Sequence, residues 1–334
     1  MDKKRPIDLM RDRGGQAGIG TIEDGAIIEM LNLGERLLII KERSVYELIM
    51  ADDIDPNREN PNLPPTSQRL IVSLGTESEI FSRTFLTAKR LFKPVYLPDS
   101  IDTTELLFLT LELVHELAAL DKEITDYMDK EKKACEDYEE RKSKKLDHAV
   151  PSIPDIKTRC KTIFQKGDQV LQAQLAIMRA FYPDFSKQSY YKSFLEFIQD
   201  TEGEEDPFTK FLQDIVQFVM LVRNIRNCLD HRRNETIIQD FEIQANGDII
   251  APTIEVDYLD SKLQWTSLSE FLPSVTENLV TIFENMTAYL CNKHTRPDGA
   301  MPSQVRLIPE EKRINKHIKY AYWSPIGEGG FYHQ

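Results

Sequence analysis

Arg226, Asn227 and His231 stand together in 221-LVRNIRNCLDHRR-233, directly after the apolar run 211-FLQDIVQFVMLV-222. A guanidinium keeps its charge and forks onto phosphate oxygens, so it suits holding a phosphodiester and the charge that builds on it. An imidazole titrates near neutrality and takes or gives a proton. On RNA the 2′-hydroxyl supplies the nucleophile, so such a pair calls for no metal and no cofactor. One pair offers few groups; two pairs across a two-fold axis offer an acid, a base and two clamps. Arg223, Arg232 and Arg233 add local positive charge for RNA on a chain whose net charge is -13. That acidic balance argues against a protein that coats nucleic acid non-specifically.

The element that must position these groups is a helix starting at Asp206, an N-cap followed by proline at the first helical position. Phe208, Phe211, Leu212, Ile215, Val219 and Val222 form one stripe along it, and Arg226 lies four residues past Val222 on the same line. A guanidinium there is costly unless it is paired or faces a cleft. The plain structural readings are an ion pair between Arg226 and Asp230, and a helix C-terminal histidine favoured by the dipole.

The remaining pattern also reads as helical. Periodicity over 30–50 predicts one or two helices, and 75–93 a further one. The proline-rich stretch 51–68 reads as a loop. Asp102-Thr103-Thr104-Glu105 caps a long helix, apolar at first and then, over 121–145, charged all round, which reads as a solvated extension rather than a coiled coil. After the break at 149–154, segments 155–182, 187–199 and 267–292 are amphipathic. Between the motif and the last helix the period changes to two around Asn246-Gly247, predicting a hairpin over 238–258. The tail from 295 reads as irregular, and 305–323, basic and aromatic, as a docked surface segment. His115 reads as packed in its apolar helix; the other histidines outside the motif are assigned nothing. Four dispersed cysteines without CxxC spacing read as reduced thiols of a cytoplasmic protein. The N-terminus shows no apolar signal region, and no apolar run reaches the roughly 18 residues of a membrane span.

Arg226-Asn227-Cys228-Leu229-Asp230-His231, R-N-x-x-x-H at the end of an apolar helix, resembles the motif of the HEPN superfamily. The resemblance covers about 154–294. The periodicity reads as an all-α fold, a helical bundle with an inserted β-hairpin and an additional N-terminal helical region; the resemblance implies that the bundle is HEPN-like, does not cover 1–150, and leaves the hairpin as an addition to the minimal bundle. The domains would be 1–150 (regulatory or dimer-supporting), 154–294 (the bundle, with the hairpin at 238–258) and 295–334 (a tail). It further implies metal-independent RNA cleavage at a homodimer interface, in a toxin–antitoxin or antiviral defence role, with an antitoxin or defence complex as partner. Arg226 and His231 become the catalytic pair and Asn227 their support; the products would be a 2′,3′-cyclic phosphate and a 5′-hydroxyl. Some members of that superfamily carry a tyrosine two residues after the histidine for modification by the antitoxin; here Arg233 stands there, a departure that puts that mode of neutralisation in doubt. The alternative is a catalytically inactive HEPN-like interaction or nucleotide-binding module acting as an assembly partner.

Overall fold

The N-terminal quarter is a sheet. The computed structural model describes residues 4–12, 18–144, 149–185, 190–231, 234–296, 303–327 and 329–334. Helix α1 (Pro6–Asp12) leads to strands β1 (Ile27–Leu33), β2 (Arg36–Lys41) and β3 (Val45–Met50). A short α2 (Ala51–Ile54) and β4 (Thr66–Val72) complete an antiparallel sheet of order β1-β2-β3-β4. The helices expected over 30–50 are thus strands. Gly34, at φ +58°, begins the two-residue turn between Leu33 and its partner Arg36, a position where hairpins favour glycine. The central run Leu37-Leu38-Ile39-Ile40 is continuous rather than alternating, and Leu38, Ile39 and Ile40 are fully buried. Its spacing therefore also satisfies a helical template, while its β-branched content favours a strand.

Next, α3 (Glu79–Phe81) passes through a π-helical turn, Ser82–Leu86, into α4 (Thr87–Leu91). Four long helices follow or recur: α5 (Thr103–Ser143), α6 (Ile156–Phe181), then, after α7 (Tyr191–Glu202), α8 (Pro207–Asp230) and, later, α9 (Leu268–Lys293). Asp102 caps α5 as expected, accepting from the Thr104 and Glu105 amides at 2.9 and 3.0 Å. The apolar first half of α5 carries two stripes. Leu106, Leu113, Leu117, Leu120 and Ile124 enter the large helical core, whereas Leu111 and Val114 close a smaller core under the sheet, with Leu33, Leu38, Val45, Phe81 and Phe85. A helix shared by two cores is apolar nearly all round. Beyond Glu131 no described residue of α5 is buried, in keeping with a solvated extension.

Between α8 and α9 the expected hairpin is part of more strand structure. β5 (Thr236–Gln239) pairs with β8 (Thr253–Tyr258), which pairs with β9 (Ser261–Ser267). A small ladder of β6 (Glu242–Ile243) and β7 (Ile249–Ile250) flanks the Asn246-Gly247 turn. The tail is not irregular: β10 (Gln304–Leu307), β11 (Tyr320–Ser324) and β12 (Phe331–His333) form a third multi-stranded sheet, anchored by the fully buried Tyr322. The all-α expectation is therefore corrected to a mixed fold in which four antiparallel sheets accompany the helices. His115, expected to be packed, lies exposed on α5. Among the described residues no helix is long and apolar enough to cross a membrane.

Candidate active site

Helix α8 begins as its residues dictate. The Asp206 carboxylate accepts from the amides of Phe208 (2.9 Å) and Thr209 (3.3 Å), with Pro207 at the first helical position. Phe208, Phe211, Leu212, Val219 and Val222 are buried, but the buried line then turns to Ile225 and Cys228. That shift of three residues, instead of four, moves Arg226 off the core line onto its edge, where 35% of its side chain stays exposed.

What faces Arg226 is α6, which runs antiparallel to α8. Gly167 makes the approach possible: a Cβ there would lie 3.1 Å from Val222 Cγ1. The next residue, Asp168, places Oδ2 4.0 Å from Arg226 Nε. On α8 itself the Asp230 carboxylate lies 2.9 Å from the same nitrogen, and Arg226 Nη1 donates to Asn227 Oδ1 at 3.0 Å. Asp230 also accepts from Gln165 Nε2 at 2.8 Å and sits 3.2 Å from Lys161 Nζ. The guanidinium is thus held by three neighbours, Asp168, Asn227 and Asp230.

The two carboxylates are poised differently. Burial pushes the Asp168 carboxyl up, against the pull of Arg223 and Arg226 and with added repulsion from Asp230. Its Oδ1 is buried with no hydrogen-bond partner among the described residues. For Asp230, burial acts upward too, but the Lys161 and Gln165 bonds and the Arg226 charge outweigh it and hold it below the usual value.

His231 is the C-cap of α8 (φ −93°, ψ 8°); its amide donates to Asn227 O at 3.1 Å, and the residue is exposed. The two Arg-Asn pairs have different fates. In the first, the Arg223 guanidinium sits 3.4 Å from the Tyr190 ring centroid, while buried Asn224 donates to Ser261 Oγ at 2.9 Å and pins α8 to β9. In the second, Arg226 and Asn227 face the surface near the helix end. Arg232 and Arg233 lie outside the described residues.

A cleft of about 720 Å³ opens between α6, the end of α8 and β5, with Lys157, Lys161, Gln165, Leu229, Asn234 and Thr236 in its walls. Arg226 and His231 are not wall residues; Asp230, bonded to Lys161 and Gln165, links Arg226 to the cleft's edge. Asp168, Gln165 and Lys161 escape a sequence reading centred on the motif. Their only local signal is Gly167-Asp168 in the middle of an amphipathic helix. Comparison of the chain with protein-family models, with curated proteins and with solved structures returns no match.

Proposed function

We propose that this chain is a HEPN-type endoribonuclease whose active site forms when two copies bring their α8 ends together. Arg226 holds the scissile phosphate, Asn227 steadies the guanidinium, and His231 moves protons. The imidazole of one copy takes the 2′-hydroxyl proton; O2′ attacks phosphorus; the P–O5′ bond breaks; the partner subunit's His231 protonates O5′. Atoms balance with a 2′,3′-cyclic phosphate and a 5′-hydroxyl as products, and no step requires a metal ion. A toxin or antiviral defence role, held in check by a partner, goes with this reading.

The observation that carries it is the exposure of His231 at the same helix end where Arg226 keeps a third of its side chain open. Exposure leaves the imidazole within reach of a polynucleotide, as proton transfer to RNA requires. The test is cleavage of labelled RNA in the presence of a chelator, with analysis of the product ends. The wild-type chain is expected to yield cyclic phosphate ends, and Arg226→Ala and His231→Ala to yield none while keeping the wild-type circular dichroism spectrum. Equal cleavage by the variants rejects the assignment, as does a wild-type chain that cleaves no RNA as a dimer. Growth arrest on expression in bacteria, relieved by His231→Ala, tests the biological role.

A second reading is a helical interaction module without catalysis. It is favoured by the satisfaction of Arg226 by Asp230, Asn227 and Asp168. Under it, Arg226→Ala alters stability or partner binding, and no RNA cleavage exists to be lost.

A further inference from the structure

Away from the α8 end, a cavity of about 640 Å³ opens between β1, α4, the loop after it and β12. Lys89, Arg90 and Lys93 bring three cations to it; the one side-chain carboxylate in its lining, Glu29, is ion-paired with Lys89. Arg90 and Lys93 have no further side-chain carboxylate beside them in this lining, on a chain whose net charge is -13. Arg90 Nη1 is buried and has no hydrogen-bond partner among the described residues. Burial drives the Arg90 pKa down, and burial together with the charges of Lys89 and Arg90 does the same to Lys93, against the pull of Glu29. A buried guanidinium nitrogen without an acceptor is costly unless an anion meets it.

The lining also carries aromatic rings, and they are firmly set. Tyr96 stacks on Tyr322, ring centroids 3.8 Å apart, and its carbonyl accepts from the Arg296 amide at 2.7 Å. Tyr322 is fully buried and donates to Leu91 O at 3.1 Å. His333 presents an edge to Tyr96 (5.7 Å) and to Phe331 (4.9 Å), and its Nε2 lies 2.9 Å from Ser324 Oγ. Phe331, also in the lining, is 53% exposed.

We propose that this cavity binds a nucleoside phosphate, with the phosphate on Arg90 and Lys93 and the base along Phe331, His333 and Tyr96. Guanidinium and ammonium groups suit phosphate oxygens, and aromatic rings suit the face of a base. Inorganic phosphate uses only half of these groups. The volume fits one small ligand and is within the range of about 300–1,000 Å³ usual for such sites. The site is separate from the α8 motif and does not depend on RNA cleavage.

Calorimetric titration of the full chain with ADP, GDP, CDP and UDP, with the matching nucleosides and with inorganic phosphate tests this. At least one diphosphate is expected to bind about tenfold or more tightly than both its nucleoside and inorganic phosphate. Lys93→Ala and Phe331→Ala, both at exposed positions, are each expected to weaken it about tenfold, and Arg90→Gln more; His231→Ala is expected to change nothing. The proposal is overturned if no diphosphate binds, if inorganic phosphate binds equally well, or if Lys93→Ala and Phe331→Ala leave affinity intact. A short RNA that binds through these residues in preference to every mononucleotide also overturns it.

Discussion

Arg83 and Arg226 both interrupt helical surface, and both are met by carboxylates, yet the two regions differ in what surrounds the charge. Arg83 sits in the π-helical turn with 3% of its side chain exposed. It reaches Glu284 on α9 at 2.6 and 2.8 Å, Glu277 at 2.7 and 2.9 Å, Thr281 at 2.8 Å and Glu79 at 3.0 Å. Lys319, just before β11 of the tail sheet, joins Glu284 at 2.9 Å. This network ties the N-terminal part to α9 and to the tail sheet, and at its centre Arg83 and Glu284 are sealed from solvent while Glu79 and Glu277 stay exposed at its rim. Arg226 has fewer partners, a weaker 4.0 Å contact to Asp168, and a face open to solvent. The difference separates a guanidinium used as a joint from one still able to meet a ligand.

Breaking the joint is expected to have the largest effect on stability. Arg83→Met leaves Glu284, 2% exposed, with only Lys319 opposite its charge, a loss of about 3–5 kcal/mol, measured by denaturant unfolding. Any RNA cleavage by the fraction that remains folded is expected to be unchanged. Arg226→Ala is expected to cost about 1 kcal/mol, since the pair of the partly exposed Arg226 with Asp230 is weak and Asp230 keeps Lys161 and Gln165. Under the catalytic proposal the same change lowers RNA cleavage by about a hundredfold or more. His231→Ala is expected to move stability by less than about 0.5 kcal/mol, while cleavage falls on the order of 10²–10⁴-fold. Stability losses that rank the other way, with Arg226 above Arg83, would erase the distinction.

The smallest effect sharpens the comparison through pH. The Asp230 carboxyl is held below its usual 3.8, so its stabilising contribution is present above that pH and is lost as pH falls through the folded value. Asp168, pushed up by burial, has the opposite sign: the protonated form is favoured by folding, and that contribution is lost as pH rises through its folded value. Asp230→Asn is expected to flatten the acid limb of a stability–pH curve, and Asp168→Asn to flatten the rise in instability just above pH 3.8. Parallel curves for wild type and both variants would show that neither carboxylate is differently placed from the unfolded chain.

Local signals were legible where they act over a few residues. Asp102 and Asp206 cap α5 and α8 from within three positions of the amides they meet, and the stripe of Phe208, Phe211, Leu212, Val219 and Val222 needs only the helical period. The sheet over 27–72 was not legible, because Leu37-Leu38-Ile39-Ile40 fits either period until a partner strand is known. β10 to β12 were hidden for the same reason, with Gln304 and Trp323 paired across a long excursion.

By itself, then, the sequence determined that α8 forms, where it starts and stops, and that Arg226, Asn227 and His231 come at its end. Only the tertiary structure decided that Asp168 crosses from α6 to face Arg226 and that His231 stays exposed. It also decided that Arg83 is sealed against α9 and that residues from both ends of the chain close one cationic cavity. Caps and periods act through bonds between near neighbours, whereas strand pairing and charge burial depend on residues that meet only when distant segments pack.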